Sequence, residues 1–207
     1  MEQGTPEWFE ARLGKVTASR IVDVVARTKT GYSASRENYM AQLVVERITG
    51  KIEQSYTNAA MAWGTEHEPM ARAEYEIQRG VMVNEIGFVP HPTIANAGAS
   101  PDGLIGDKGL IEIKCPNTAT HIDTLLTRQI PLKYLYQMFW QMTCTGREWC
   151  DFASYDPRMP DHLKLCVIHV PFNADRISEL EDEVTKFLHE VDAKVDKLMN
   201  LLRETNE

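Results

Sequence analysis

The sequence predicts a mixed α/β (α+β) fold in which a central mixed sheet is flanked by helices. Apolar residues recur at spacings of three and four over 175–203, and a second apolar helical segment covers 132–145. Over 81–115 and 149–172, short apolar runs bounded by Gly, Pro and Asp indicate strands. Because helical and strand segments are interleaved along the chain, we expect helices on both faces of the sheet.

Length and composition fit a single domain. The chain has 207 residues, of which 43% are hydrophobic and 25% charged, a balance typical of globular proteins. We expect one domain over 1–207, with N-terminal helices at 1–58, a core at 59–172 and an amphipathic C-terminal helix at 175–203. No apolar stretch approaches the length of a membrane span and the N-terminus lacks a signal-peptide pattern, so no membrane partner is expected.

The first eighty residues are predicted to be mainly helical. Thr5 suits the cap of a helix that has Pro6 at its first position. Gly50 and Gly80 suit the ends of two later helices, because glycine readily takes the left-handed conformation. The expected helices are 5–12, a helix starting at 17–19, a helix that follows a loop at 31–35, and 59–78, with another loop at 51–58.

The rest of the chain is predicted to mix strands and helices. Asp107, Lys108 and Gly109 separate two apolar runs and are expected to form the turn of a hairpin, with Gly109 able to take a positive φ. Pro116 ends the second hairpin strand. The expected strands are 81–89, 94–100, the two hairpin arms, 149–155 and 163–172, and the expected helices are 119–128, 132–145 and 175–203.

Three charged residues of the predicted hairpin form the most informative pattern. Asp102 opens the first strand, and Glu112 and Lys114 lie on the second, where they alternate with Ile111 and Ile113. The alternation places both charges on one face of the strand. An aspartate on one strand followed by acid-x-lysine on the next is the metal-site layout of the PD-(D/E)xK nucleases. The alternative is a surface strand that carries an ordinary Glu–Lys pair.

The nuclease interpretation assigns a chemical task to each group. The two carboxylates would hold a divalent cation against a phosphodiester, and the lysine would steer the attacking water. Such a site usually needs a third oxygen ligand, for which Glu68 on the predicted helix 59–78 is the candidate; the alternative is a solvated face shared with Glu66. His67 is not expected to be a ligand, because a hard cation prefers oxygen donors, and we interpret it as a neighbour of the ligands or a surface residue.

Charge is unevenly distributed along a chain whose net charge is −8. Segment 11–36 holds six basic residues and one acidic residue, whereas segment 175–207 holds ten acidic and five basic residues. We expect the basic segment to meet phosphates and the acidic tail to lie elsewhere. The overall acidity therefore does not exclude a nucleic-acid partner, but it argues against broad, nonspecific coating of DNA.

The four cysteines carry no metal-site pattern. Cys115, Cys144, Cys150 and Cys166 lack the clustered spacing of a zinc or iron–sulfur site. They lie in apolar runs, as expected of reduced, buried thiols in a cytoplasmic protein.

Six short blocks of the sequence carry a family resemblance. They are Trp8…Arg12-Leu13-Gly14…Thr17-Ala18-Ser19, Ala62-Trp63-Gly64…Glu68, Ser100-Pro101-Asp102-Gly103-Leu104, Glu112-Ile113-Lys114-Cys115-Pro116, Tyr134…Gln137 and Tyr155-Asp156-Pro157-Arg158-Met159. These blocks resemble the phage lambda exonuclease / YqaJ-like viral recombinase family, which has a restriction-endonuclease-like PD-(D/E)xK core. They occur in the family's order, with similar gaps, from about Trp8 to Val170, and the C-terminal helix matches the family only in its character.

The resemblance implies roles for the residues that match the family's motifs. Asp102 and Glu112 correspond to the metal-binding carboxylates, with the carbonyl of Ile113 as a backbone ligand. Glu68 corresponds to the acid that completes the site. Lys114 corresponds to the residue that positions or activates the attacking water.

The resemblance also implies residues that hold the substrate. Gln137 corresponds to a glutamine that orients the water or the phosphate, and Arg12 and Ser19, with Thr17 as a further candidate, correspond to the pocket for the 5′-terminal phosphate. The chemistry agrees, because Ser19 is expected in the first turn of a helix, where free N–H groups attract anions. Arg12 offers a planar charged donor. The alternative for Arg12 is an ordinary surface arginine.

An activity follows from this resemblance. It implies a Mg²⁺-dependent 5′-to-3′ exonuclease, with one or two Mg²⁺ per site and Mn²⁺ as a substitute. The enzyme would degrade one strand of linear double-stranded DNA to 5′ mononucleotides and leave 3′ single-stranded overhangs for recombination. The resemblance further implies a ring-shaped homotrimer, a single-strand annealing recombinase as partner, and the cytoplasm of a bacterial host cell.

One feature of the family is missing. Thr120 and His121 occupy the stretch after Cys-Pro where the lambda enzyme has an arginine, so Arg128 is considered as another source of that phosphate contact. Two other functions are considered: a PD-(D/E)xK endonuclease without end dependence, and a non-catalytic DNA-binding protein that keeps the fold. The cysteine spacing excludes an iron–sulfur nuclease.

Overall fold

A five-stranded mixed sheet lies at the centre of the protein, for which a computed structural model describes residues 2–52 and 59–204. Its strands are β4 (Val83–Asn84), β7 (Gly103–Ile105), β8 (Gly109–Lys114), β9 (Trp149–Tyr155) and β10 (Leu165–Pro171). The strand order is β10-β9-β8-β7-β4. β8 and β9 run parallel, and the other neighbouring pairs of this sheet are antiparallel. The predicted mixed sheet is therefore confirmed.

Two smaller sheets lie beside the central one. Three strands, β1 (Val16–Thr17), β5 (Val89–Pro90) and β6 (Ala97–Ala99), form a sheet of order β1-β6-β5. A hairpin pairs β2 (Arg27–Thr28) with β3 (Gly31–Tyr32). The three-stranded sheet brings the chain after the first helix next to the segment that leads to Asp102.

Helices cover both faces of the central sheet, which confirms the predicted α/β class. One face packs against α4 (Ala59–Arg79), where Ala71 and Tyr75 join a buried cluster with Ile111 and Ile113. The other face packs against α6 (Leu132–Thr145), on which α7 (Ala174–Glu204) and α2 (Ile21–Val25) pack in turn. Within the described residues, none of the helices is both long and apolar enough to cross a membrane. The helices are α1 (Pro6–Arg12), α2 (Ile21–Val25), α3 (Ala34–Thr49), α4 (Ala59–Arg79), α5 (Thr118–Thr127), α6 (Leu132–Thr145) and α7 (Ala174–Glu204).

The helix ends follow the predicted signals. The Oγ1 atom of Thr5 accepts a hydrogen bond from the N–H of Trp8, and Pro6 is the first residue of α1. Gly50, Gly80 and Gly146 follow α3, α4 and α6 with positive φ angles of 64°, 64° and 67°. All three glycines end their helices in the left-handed conformation, which confirms the expectation for Gly50 and Gly80.

The predictions for two strands were wrong. Segment 81–89 is not one strand, because β4 pairs with β7 in the central sheet while β5 pairs with β6 in the three-stranded sheet. The chain crosses from one sheet to the other between them. Only Ala97–Ala99 of the segment 94–100 is strand. In the hairpin turn the positive φ belongs to Gly106 rather than Gly109, whose absent Cβ leaves room for the ring of Trp149.

Two predictions for the N-terminal region also need correction. Segment 31–35 is not a loop, since Gly31–Tyr32 forms β3 and α3 begins at Ala34. Ser19 lies in a short 3-10 turn, Ala18–Arg20, that precedes the five-residue α2, rather than in the first turn of a longer helix. Most of the loop predicted at 51–58 lies outside the described residues.

The prediction that the acidic tail lies away from the basic segment was wrong. Arg36, whose side chain is only 1% exposed, forms an ion pair with Glu190 of α7 at 2.7 Å. Arg27 pairs with Glu183 at 2.6 Å, and Arg47 pairs with Asp192. Much of the positive charge near the N-terminus therefore holds α7 in place.

We predict that Glu190→Ala lowers the free energy of unfolding by about 2 kcal/mol, because it leaves a buried guanidinium without its carboxylate. This is less than for a fully buried pair, since the side chain of Glu190 is 37% exposed and partly screened by solvent. Hydrogen bonds from Arg36 lower the pKa of Glu190. The pair is therefore fully stabilising near neutral pH, and this contribution is lost as pH falls through the lowered pKa.

Urea denaturation measures this effect, with Glu179→Ala as the matched control on the same helix. Glu179 pairs with Arg176, and both side chains are more than half exposed, so its loss should cost no more than about 0.5 kcal/mol. Equal stability losses for the two variants would contradict the assigned role of Glu190.

Candidate active site

The hairpin of β7 and β8 brings the three charged motif residues together. Its register places Gly103 opposite Ile111, so Asp102 lies beside Glu112. The Oδ2 atom of Asp102 accepts a hydrogen bond of 2.6 Å from the backbone N–H of Ile113. This bond fixes the aspartate against the strand that carries Glu112 and Lys114.

Glu112 is the most constrained group of the site. Its side chain is 0% exposed. Oε1 accepts a hydrogen bond of 2.7 Å from Gln137 Nε2, and Oε2 accepts one of 2.6 Å from Gln141 Nε2. The ammonium of Lys114 also forms an ion pair with Oε1. A buried carboxylate requires such partners, so the alternative of a surface Glu–Lys pair is wrong.

Lys114 is a cation held between its neighbours. Its side chain is 26% exposed, and its Nζ lies 5.3 Å from the ring centroid of Tyr134. Burial alone would lower the pKa of Lys114, but the charges of Glu112 and Asp102 raise it well above its usual value. In this geometry Lys114 is suited to donate hydrogen bonds rather than to remove a proton.

Asp102 and Glu68 lie within the same electrostatic environment. Burial and then the charge of Glu112 raise the pKa of Asp102 well above its usual range. Burial also raises the pKa of Glu68, and the negative charge of Glu112 adds to this rise. The positive charges of Arg72 and Lys114 act in the opposite direction and lower the pKa. Glu68 accepts a hydrogen bond of 2.8 Å from Arg72. Its carboxylate is therefore engaged at the border of the site.

The donors of the site fit a hard divalent cation in type. Asp102 and Glu112 offer carboxylate oxygens, and their mutual repulsion, which helps to raise the pKa of Asp102, would be relieved by bound positive charge. Within residues 2–52 and 59–204, however, no three His, Cys, Asp or Glu side chains lie together in a way that could hold a metal ion. A cation here would need the Ile113 carbonyl, water or a movement of Glu68 to complete its ligands.

A cavity of about 160 Å³ joins the predicted phosphate-binding residues to the site. Arg12, Thr17 and Ser19 line it together with Asp102 and Gln137. In the sequence the two groups are more than eighty residues apart. The structure brings them to a single cavity, which is the observation on which the functional argument depends.

Arg12 is positioned by aromatic stacking. Its guanidinium lies 3.9 Å from the ring centroid of Trp8, and Trp8 Nε1 donates a hydrogen bond of 2.9 Å to Ser100 Oγ. Burial lowers the pKa of Arg12, against the opposing influence of Tyr39 and Glu46. A half-buried guanidinium facing a cavity would gain from a bound anion. An ordinary surface arginine does not fit this environment.

Ser19 and Thr17 both line the cavity, but Ser19 does not lie in the first turn of a long helix as expected. Ser19 is exposed and lies in the 3-10 turn, so no long helix directs its dipole at an anion. Thr17 is buried, and its backbone N–H donates to the hydroxyl of Tyr39 at 3.2 Å. The hydroxyl of Ser19 is the more accessible of the two.

Sequence reasoning missed Gln141. It lies four residues after Gln137 on α6, on the same helical face, and is fully buried against Glu112. That spacing was the signal that could have found it. The carboxylate of Glu112 is thus held through both oxygens by one helix.

Two other predicted residues have structural contacts. Arg128 donates to the sulfur of Cys166 at 2.9 Å and to the carbonyl of Val167 at 2.6 Å, so its guanidinium is engaged by the edge strand β10. His67 is buried rather than at the surface, and its ring stacks on Trp63 at 3.7 Å.

Fold and site together define a class. The protein has a mixed sheet with helices on both faces. Two adjacent antiparallel strands position Asp102 and the Glu112-x-Lys114 pair. These features define a protein of the PD-(D/E)xK type.

Comparison with known proteins identifies the family. A family model, the YqaJ-like viral recombinase domain, matches residues 7–148. The structure of LHK-Exo in complex with dAMP has a TM-score of 0.91 and 52% sequence identity, covering 97% of this chain and 100% of that one. A second structure, of the alkaline exonuclease LHK-Exo from Laribacter hongkongensis, has a TM-score of 0.91 and 53% identity over the same shares. The chain belongs to the YqaJ-like viral recombinase domain family.

A more distant structure shares the fold alone. A phage-related exonuclease from Haemophilus somnus 129PT has a TM-score of 0.73 at 13% identity, covering 89% of this chain and 96% of that one. A comparison with curated proteins gives no match.

We predict that Gln141→Leu lowers the free energy of unfolding by about 2 kcal/mol in metal-free buffer, because Oε2 of the buried Glu112 loses its donor. Gln129→Leu is the control, since Gln129 is exposed in the loop before α6 and should change stability by less than about 0.5 kcal/mol. Urea denaturation measures both. A Gln141→Leu protein as stable as wild type would show that Gln141 does not support the buried carboxylate.

Proposed function

We propose that the protein is a Mg²⁺-dependent 5′-to-3′ exonuclease that degrades one strand of linear double-stranded DNA to 5′ mononucleotides. It leaves 3′ single-stranded overhangs that serve single-strand annealing recombination. The observation that carries the proposal is the cavity shared by Arg12, Thr17 and Ser19 with Asp102 and Gln137. Membership of the YqaJ-like family supports it, as does the likeness to an alkaline exonuclease.

The proposed cation site uses Asp102, Glu112 and the carbonyl of Ile113, with Glu68 as a further ligand after it leaves Arg72. Mg²⁺, or Mn²⁺ as a substitute, would supply a water of lowered pKa and stabilise the charge on the 3′-oxygen that leaves. One or two ions per site are compatible with this donor set. The oxygen-only donors support Mg²⁺ over a softer metal.

Lys114 and Gln137 are proposed to orient the reacting groups. The raised pKa of Lys114 supports a role as a permanent donor to the attacking water or to a phosphate oxygen. Gln137 bonds Glu112 on one side and lines the cavity on the other, so it is placed between the carboxylate and the phosphate. Both residues would act by positioning, which accounts for a large part of phosphoryl-transfer catalysis.

The polarity of digestion is proposed to come from the phosphate pocket. A 5′-terminal phosphate held by Arg12 and Ser19 would place the next phosphodiester near Asp102, so each cycle would release one nucleotide. The complex of the related LHK-Exo with dAMP, a single deoxynucleotide, supports a site of that size. An endonuclease of the same fold has no need for a pocket for a terminal phosphate at this position.

We predict that a linear duplex with 5′ phosphate ends is digested faster than one with 5′ hydroxyl ends, and that closed circular duplex is not digested. The rate at which acid-soluble nucleotide is released is measured for each of the three DNA substrates. Arg12→Gln should reduce the preference for 5′ phosphate by at least about tenfold, because it removes a charge-assisted contact. Arg147→Gln is the control, because Arg147 lies just before β9, at the end of that strand away from Lys114, and it should preserve the preference for 5′ phosphate.

Three outcomes of this experiment contradict the proposal. Equal rates on linear and circular DNA indicate an endonuclease, and full activity in excess EDTA excludes the cation site. No hydrolysis of any duplex with Mg²⁺ or Mn²⁺ indicates a non-catalytic DNA-binding protein.

We predict that Lys114→Ala and Lys114→Gln bind linear duplex but hydrolyse it roughly 10²- to 10³-fold more slowly, because a preorganised donor is lost from the reacting centre. Binding by fluorescence anisotropy and single-turnover rates separate the two effects. Since Lys114 pairs with a buried carboxylate, thermal melting checks that each variant is folded. Turnover within a few-fold of wild type would remove Lys114 from the mechanism.

We further propose a ring-shaped homotrimer around DNA, a single-strand annealing recombinase as partner, and a location in the cytoplasm of a bacterial host. Large apolar side chains that are more than 70% exposed, at Ile77, Met82 and Leu126, support burial in an assembly. The four free cysteines fit a reducing compartment. Light scattering is expected to give three times the monomer mass, and a monomer at all concentrations would contradict the ring.

A further inference from the structure

Arg158 and Trp63, two residues with no role in the proposed chemistry, contact each other in the structure. The guanidinium carbon of Arg158 lies 4.5 Å from the ring centroid of Trp63 on α4. Arg158 lies in the loop that follows β9, and Trp63 lies on α4, five residues before Glu68. Their contact brings the loop after β9 against the helix that carries Glu68.

A buried carboxylate fixes the orientation of Arg158. Asp156 is 0% exposed and accepts hydrogen bonds from Arg158 Nε at 2.7 Å, Nη2 at 3.0 Å and the backbone N–H at 3.0 Å. Burial alone would raise the pKa of Asp156, but hydrogen bonds from Arg158 and Thr118 lower it to about 2. The anchor therefore stays charged at any working pH.

The guanidinium keeps a free edge that faces solvent. The side chain of Arg158 is 48% exposed, although Asp156 and Trp63 hold it in one orientation. Among the described residues, its Nη1 group has no hydrogen-bond acceptor. A fixed, exposed, permanently charged donor loses little entropy when it binds an anion.

Sheet topology places this donor at the edge where the candidate active site lies. β8 and β9 are parallel, and Lys114 is in register with Ser154, so Asp156 follows at the same edge. Arg158 Nη2 lies 3.5 Å from the carbonyl of Pro116, two residues after Lys114. Trp63 precedes Glu68 by five residues, or about 7.5 Å along α4. Arg158 therefore lies at the edge of the sheet that carries the candidate active site.

Exposure distinguishes Arg158 from two arginines near the N-terminus. Arg36 and Arg47, whose side chains are 1% and 15% exposed, are neutralised by acids of α7 and cannot meet phosphates without breaking those pairs. Arg158 is also paired, but its side chain is 48% exposed. A phosphate at this edge can therefore reach Arg158 while the pair with Asp156 remains intact.

We propose that Arg158 binds a backbone phosphate of the DNA duplex beside the site of hydrolysis, and that Asp156 is a positioning residue for it. The proposal rests on the proposed exonuclease function and adds a second phosphate contact to the pocket of Arg12. The alternative is a purely structural clamp between the loop and α4.

The test measures affinity for a 5′-phosphorylated linear duplex by fluorescence anisotropy in EDTA, which prevents turnover, at KCl from about 50 to about 200 mM. Arg158→Gln is expected to bind about tenfold more weakly at low salt. Because one phosphate contact contributes about 0.9 to the salt slope, this variant should lose about threefold less affinity than wild type across the range. If Arg158→Gln does not fold, Arg158→Met replaces it in the same binding experiment, because Met keeps an apolar stem against Trp63 and also lacks the charge.

Three further variants separate binding from structure. Arg147→Gln, at the opposite end of β9, should keep the wild-type slope, and Arg158→Lys should keep it because the charge remains. Asp156→Asn should weaken binding with an unchanged slope, since it releases the guanidinium without removing it.

The outcomes distinguish this proposal from the proposed function. A wild-type salt slope in a folded variant that lacks the charge of Arg158 overturns the phosphate contact, whatever its thermal stability, and indicates the structural clamp. Failure of the wild-type protein to bind duplex at any salt concentration overturns the exonuclease proposal itself.

Discussion

The arrangement of the site depends on one buried carboxylate. Glu112 has no exposed surface, so its charge is tolerated only because Gln137, Gln141 and Lys114 supply donors. Two of these come from α6, which must therefore lie close enough to the sheet for both amides to reach Glu112. The same strand donates its Ile113 N–H to Asp102. Because the buried carboxylate of Glu112 needs hydrogen-bond donors, α6, the hairpin of β7 and β8, and Asp102 are held in fixed positions relative to each other.

Charge is used for two purposes in different parts of the protein. Near the N-terminus, Arg27, Arg36 and Arg47 pair with acids of α7 and stabilise the fold. At the site, Arg12 and Lys114 remain close to the cavity or the carboxylates. An acidic chain can therefore present a few placed cations rather than a broad basic surface, as the proposed recognition of a strand end requires.

The sequence was sufficient for the class and much of the site, but not for contacts between distant segments. The hairpin motif and the family resemblance predicted Asp102, Glu112 and Lys114, and helical periodicity predicted the bounds of α6. The strand at 81–89 was misjudged because an apolar run carries no sign that the chain changes sheets within it. The ion pair of Arg36 with Glu190 joins residues 154 apart, and Gln141 was missed because burial beside Glu112 is a tertiary property.

Binding of Mn²⁺ to the wild-type protein and to Glu112→Gln and Asp102→Asn, followed by calorimetry and electron paramagnetic resonance, tests the central claim most directly. Glu148→Gln, an exposed acid at the other end of the sheet, is the control. The account predicts binding by wild type and control, and affinity lower by roughly 100-fold or more in both site variants. Wild-type affinity in both site variants would show that these carboxylates do not form the cation site.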